Sequence, residues 1–228
     1  MPAAELSLLF SRALHRAEIR RMREERHITM AEAVAKANYK WRVVDIVVAA
    51  VIAIASGVIF WAWDIVSSVP MTPLEAITPG LAGLVNGMWL FAGPLAAIIV
   101  RKPGAALFAE TVAAFLELLM GNQWGVGGSL IVGIIQGLGA EIGFAIFLWK
   151  KWNLGTTILS GALAGVGCWA YYWATNPGWA LAYVATYLVT SIISGIVIAG
   201  ALMWFLHKAI AATGALDRFP SGRSQARV

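Results

Sequence analysis

Six long apolar runs lie between residues 43 and 206, and they decide what the chain can fold into. The first is VVDIVVAAVIAIASGVIFWAWDIV (43–66) and the second is GLAGLVNGMWLFAGPLAAIIV (80–100). The others cover about 104–121, 126–149, 154–174 and 179–206. Each has roughly the 17–25 residues that a membrane-spanning helix needs, the last being somewhat longer. Lipid offers the backbone no hydrogen-bond partners, so a spanning chain must be helical or a closed barrel. Barrel strands would read as alternating segments of about 10 residues, and none is present. The expected fold class is therefore all-α: a polytopic membrane protein, a bundle of six transmembrane helices. Charged residues make up 13% of the chain, about half the share usual in soluble domains.

The basic residues assign an orientation. Of 17 Lys and Arg, nine precede the first run, two (Arg101, Lys102) separate the second and third, two (Lys150, Lys151) separate the fourth and fifth, and four follow the sixth. The connections near 67–79, 121–126 and 174–179 have none. The positive-inside rule then places both termini in the cytoplasm and those three connections outside. The net charge of +5 fits cytoplasmic loops facing anionic lipid better than it fits nucleic acid. Three regions are expected: a basic arm (1–42), a six-helix domain (43–208) and a cytoplasmic tail (209–228). The arm has no apolar core of a signal peptide. Leu6, Leu9, Phe10, Ala13 and Leu14 can form one helical face on a membrane surface, and a basic tail without fixed structure fits equally.

Polar residues within apolar runs are the functional candidates, because an intramembrane charge costs at least ~2.5–3.5 kcal/mol. Glu110 and Glu117 lie two turns apart on one face of the third run. Glu117 falls near its outer end and Glu110 in its inner half. Gln136 lies at mid-depth in the fourth run, with Glu141 deeper. Asp45 sits one turn inside the first run, within reach of Arg42. Aromatics crowd the outer ends: Trp61 and Trp63, Trp89, Trp124, then Trp169, Tyr171, Tyr172 and Trp173, then Trp179, Tyr183 and Tyr187. An interfacial belt explains many of them. An aromatic pocket with Glu117 in its wall is the functional reading. It suits a flat, cationic, nitrogen-bearing ligand. For Glu110 and Glu141, helix–helix hydrogen bonds or pairing with Arg101 or Lys102 compete with ligand contact. Ala49 with Ala53, and Gly133 with Gly137, form small-residue stripes for close helix approach. Cys168 is a lone thiol in an apolar run and reads as packing.

No phosphate-binding loop, dinucleotide fingerprint, metal-ligand spacing or nucleophile–base pair occurs. The chain reads as a non-enzymatic small-molecule transport component without metal or cofactor. Any ATPase would be a partner. An ion-coupled carrier using Glu110, Glu117 and Glu141 as a proton relay is the alternative.

Three strings resemble a known family: RKPGAALFAETVAAFLELLMGN (101–122), GIIQGLGAE (133–141) and NGMWLF (86–91). They resemble the YkoE family of S-components, the substrate-binding subunits of energy-coupling factor (ECF) transporters. The likeness runs from about 41 to 210 and is sharpest over 86–141. The resemblance implies a six-helix S-component bundle with both termini cytoplasmic. It implies capture of thiamine or its hydroxymethylpyrimidine precursor near the outer face, and docking on a transmembrane coupling subunit driven by two ATPase subunits. Glu117 would meet the ligand's charge or aminopyrimidine. Trp89, Asn122 and Gln136 would hydrogen-bond or stack, and Tyr171, Tyr172 and Tyr183 would form walls. Trp61, Trp63, Trp124, Glu110 and Glu141 complete the candidate ligand set. Ala49 and Ala53 match the docking stripe of ECF S-components, and the segment SSVPMTPLEAITP (67–79) would cover the ligand.

Overall fold

The computed structural model describes Glu18 and residues 39–223. The arm's proposed amphipathic face lies outside the described residues. The chain divides into two units, Met1–Tyr39 and Lys40–Val228, and the second carries the fold.

Helix α1 (Val43–Val66) is apolar almost all round. At its start Asp45, fully buried, accepts from the Arg42 backbone N–H at 2.9 Å and pairs with the Arg42 guanidinium at 2.6 Å. One stripe of α1 is buried: Ala49, Ala53, Ser56, Gly57, Phe60 and Asp64. The opposite face (Val43, Val47, Val51, Ile54, Val58) is exposed, as a lipid-facing surface should be. The stripe packs within the chain, chiefly on α4 (Ala105–Leu119). Gly57 permits this approach, since a Cβ there would lie 2.7 Å from the Ala113 carbonyl oxygen. Ala49 and Ala53 are each 0% exposed. This corrects the expectation that they present a docking surface: neighbouring helices of the same chain already cover them.

A short helix, α2 (Ser68–Ile77), follows. The second apolar run is not one rod. It forms a 3-10 segment (Leu81–Trp89) and helix α3 (Ala92–Val100), bent by 41° between them. The 3-10 segment lies flat on α7 (Leu181–Ser194) because Gly83 and Gly87 carry no Cβ. At Gly87 one would fall 2.6 Å from the Ser194 carbonyl oxygen. Hydroxyls of α7 take up the backbone groups that an α-helix would have paired. Thr190 Oγ1 donates to Gly80 O (2.8 Å) and Ser194 Oγ to Leu84 O (2.6 Å), while Gly87 N–H donates to Ser194 Oγ (2.8 Å). In an apolar medium such bonds are what makes a broken span tolerable. All nine residues of α3 are buried, making it the central element.

Helix α4 has 15 residues, about 22 Å at the usual rise. That is short of the ~30 Å hydrocarbon core, and Gly104 and Gly121, both at φ +84°, bound it. A π-turn (Gly127–Ile131) opens α5 (Val132–Ala145). Helix α5 lies between α4 and α6 (Leu154–Thr175). Gly133 and Gly137 face α4, as the small-residue stripe predicts, and Gly143 faces α6, where a Cβ would meet Ser160 Cα at 2.4 Å. Helix α7 runs through a π segment (Gly195–Leu202) into α8 (Met203–Ala212), 32 residues in all. Beyond it Leu216 and Phe219 are buried, and Ser221 on α9 (Pro220–Arg223) donates to Ile99 O at 2.9 Å. The six runs thus become six helical stretches among the described residues. Four are long and apolar enough to cross a membrane, five if the bent pair is one span, and α4 is the short sixth.

Two intramembrane carboxyls have structural work. Glu141 accepts from the backbone N–H groups of Gly104 (2.7 Å) and Ala106 (2.9 Å) and from Trp149 Nε1 (2.6 Å), capping α4 from α5. Glu110 accepts from Gly93 N–H at 2.6 Å, capping α3 just after the bend. Helix N-termini favour such groups. Glu141→Ala would strand these donors. The expected cost is about 2–3 kcal/mol, read as a lowered thermal midpoint in detergent, with Glu141→Gln falling between.

Candidate ligand-binding cavity

A cavity of about 310 Å³ opens between α1, α2, the 3-10 segment, α4, α5, α6 and α7. This lies at the low end of the ~300–1,000 Å³ typical of small-molecule sites.

One wall belongs to α1, α4 and the Trp89–Trp124 pair. Asp64, at the last turn of α1, accepts from Trp89 Nε1 (2.9 Å) and Trp124 Nε1 (2.7 Å) through one oxygen, Oδ1. Its other oxygen, Oδ2, is buried and has no hydrogen-bond partner. The Glu117 carboxyl adjoins it. Glu117 is 3% exposed, lines the cavity, and is held by Asn122 Nδ2 at 3.3 Å. Trp89 and Trp124 meet edge to face, with centroids 6.1 Å apart. This wall combines two carboxyl groups with two indoles, a pole for a positive or amino-bearing ring.

The other wall is a column of rings. Trp179, just before α7, and Tyr183 and Tyr187 on it recur every four residues and their rings meet, with Trp179 and Tyr183 centroids 4.4 Å apart. Tyr172 meets Tyr187 edge-on at 6.1 Å. Asn86 fixes Tyr187, donating to its hydroxyl at 2.8 Å and to Ser191 Oγ at 2.9 Å. Gln136, Cys168, Ser129 and Phe60 also line it. Helix α2 covers the cavity with Met71 and Glu75. Glu75 pins it in place, accepting from the N–H groups of Gly80 (3.0 Å) and Ala82 (3.2 Å) and from Tyr183 Oη (3.4 Å).

Of the expected ligand residues, Trp89, Glu117, Trp124, Gln136, Tyr172 and Tyr183 line the cavity. Asn122 stands behind it, bridging Glu117 and the Ser129 hydroxyl. Tyr171 packs edge-on against Tyr172, and Trp63 against Trp89. Trp61 is not among the lining residues. Glu110 and Glu141 do not reach the cavity either, because both are committed to helix caps. Of the three glutamates proposed as a relay, only Glu117 lines the cavity. The sequence did not single out Asp64, Asn86, Trp179 or Tyr187 as ligand residues. For Trp179 and Tyr187 the four-residue spacing with Tyr183 was the available signal. Glu75 and Met71 had none beyond their place in the covering segment.

An apolar helical bundle around a covered aromatic and acidic cavity fits a substrate-binding membrane component. Residues 44–167 match the family described as ABC-type cobalt transport system, permease component. The chain is 33% identical over 194 residues to the "Putative HMP/thiamine permease protein YkoE" of Bacillus subtilis (strain 168), across 80% of this chain and 91% of that protein. It also matches a solved structure described as "Crystal structure of an S-component of ECF transporter". There the TM-score is 0.75 and the identity 31%, covering 82% of this chain and 94% of the other. The chain belongs to the YkoE family of ECF-type S-components, and is a multi-pass membrane transporter subunit rather than an enzyme.

Asp64 organises the acidic wall. Asp64→Ala would strand two indole N–H groups. The expected loss is about 1–3 kcal/mol for each, measured as a lower thermal midpoint together with a shift in tryptophan emission.

Proposed function

We propose that this subunit captures thiamine or its hydroxymethylpyrimidine precursor from outside the cell. It then delivers the ligand through a transmembrane coupling subunit and two ATPase subunits. The observation that carries this reading is the meeting of stacked aromatic walls with the Asp64–Glu117 pole. A thiazolium or aminopyrimidine offers a flat face for Trp89, Trp124 and Tyr172, and positive charge or N–H donors for the carboxyls. Exclusion of water strengthens that attraction. The relative from B. subtilis, named as an HMP/thiamine permease, supports the ligand class. The Lys and Arg distribution supports cytoplasmic termini, with residues 1–42 as an arm and 209–228 as a tail on that side. On this orientation α2 and the cavity face outward.

The test is a tryptophan-fluorescence titration of the purified chain in detergent with thiamine, hydroxymethylpyrimidine and riboflavin. Saturable quenching by one of the first two, and none by riboflavin, is expected. Glu117→Gln should weaken binding at least ~10-fold through loss of a charge-assisted contact. Silence toward both pyrimidines would reject the assignment. In cells, uptake should stop when the ATPase partners are deleted and should persist with an uncoupler present.

A further inference from the structure

The hydrogen-bonding balance of the cavity limits the charge of what it can hold. Glu75 and Glu117 line it, with Asp64 beside Glu117. Among the described residues no lysine, arginine or histidine lines it. Several of the N–H donors nearby are committed within the protein, and the Gln136 amide and Trp179 indole on the lining are neutral. The Trp89 and Trp124 indoles donate to Asp64 Oδ1, at 2.9 and 2.7 Å. Asn86 Nδ2 donates to Tyr187 and Ser191, at 2.8 and 2.9 Å. The start of the 3-10 segment presents backbone N–H groups of the kind that cradle phosphate elsewhere. Here Glu75 occupies them, at Gly80 (3.0 Å) and Ala82 (3.2 Å).

A phosphate group is bound by cationic side chains or by unoccupied backbone donors. In this cavity it would meet Glu75 on the covering side and the Asp64–Glu117 pair on the other. A low-dielectric surround strengthens the repulsion. A hydroxyl or amino group meets the opposite situation, because it can donate to the carboxyl oxygens of Glu75 and Glu117 on the lining.

We propose that the cavity accepts its vitamer as the free alcohol and rejects the phosphate ester of the same molecule, with Glu75 as the residue that closes the anion-ready position. This rests on the thiamine or hydroxymethylpyrimidine reading above. It also sets a place in a reaction sequence. A phosphorylated vitamer outside the cell enters by this route only after hydrolysis, R–O–PO₃²⁻ + H₂O → R–OH + HPO₄²⁻. In that step the ester P–O bond breaks, water oxygen bonds to phosphorus, and a water proton passes to the alcohol.

The test is a binding titration of the full chain in detergent with four probes: thiamine, thiamine monophosphate, hydroxymethylpyrimidine and its phosphate. Wild type, Glu75→Gln and Glu117→Gln are compared. In the wild type each ester should bind about 100-fold or more weaker than its alcohol, and Glu75→Gln should narrow that gap about 10-fold, since Gln still accepts from the backbone but carries no charge. An alcohol and its ester of equal affinity in the wild type would overturn the rule while leaving the vitamin assignment intact. A gap that neither variant narrows would overturn its electrostatic cause. No binding of any of the four would overturn both the rule and the assignment.

Discussion

Inside a bilayer a backbone N–H or C=O without a partner costs several kcal/mol, and this chain breaks its second span beside the cavity. The rest of the structure depends on how that break is satisfied. Thr190 and Ser194 bond the 3-10 backbone from α7, and Glu110 caps α3 from α4. Glu141 does the same for α4 from α5. Polar side chains on one helix thus complete the backbone of another, and these bonds lock the helices in register. Glycines at the crossings let the backbones come close enough for short side chains to reach.

The break has a functional consequence. A straight second helix would carry Asn86 and Trp89 past the bundle at a regular pitch. The 3-10 segment instead holds Asn86 against Tyr187 and Trp89 against Asp64. The same segment starts under α2, where its first N–H groups receive Glu75. The cover, the aromatic column and the acidic pole are therefore tied to a single irregular element. The Trp89 and Trp124 indoles and the Asn86 amide are spent on building the wall.

The candidate site was only partly legible in the sequence. Glu117 stood out because a carboxyl in an apolar run is costly enough to need a reason. Glu110 and Glu141 stood out for the same cause, yet they cap helices, because the penalty of a buried charge is indifferent to whether the compensating donor belongs to a ligand or to backbone. Asp64 was hidden in plain sight: at a helix end, an acidic residue next to tryptophans looks like an interface anchor. The stripe of Ala49 and Ala53 correctly signalled close helix packing. It did not say which helix, and α4 of the same chain fills it.

The sequence by itself determined the all-helical class and the multi-pass character. Both follow from run length and from the need of each backbone segment to satisfy itself in lipid. It also marked which side chains were too polar to face lipid. Only the tertiary structure decided which of those meet in one cavity, that the second span bends, and that α2 closes over it. Those outcomes depend on contacts between residues as far apart as Asn86 and Ser191, and helical periodicity carries no record of which face will meet which.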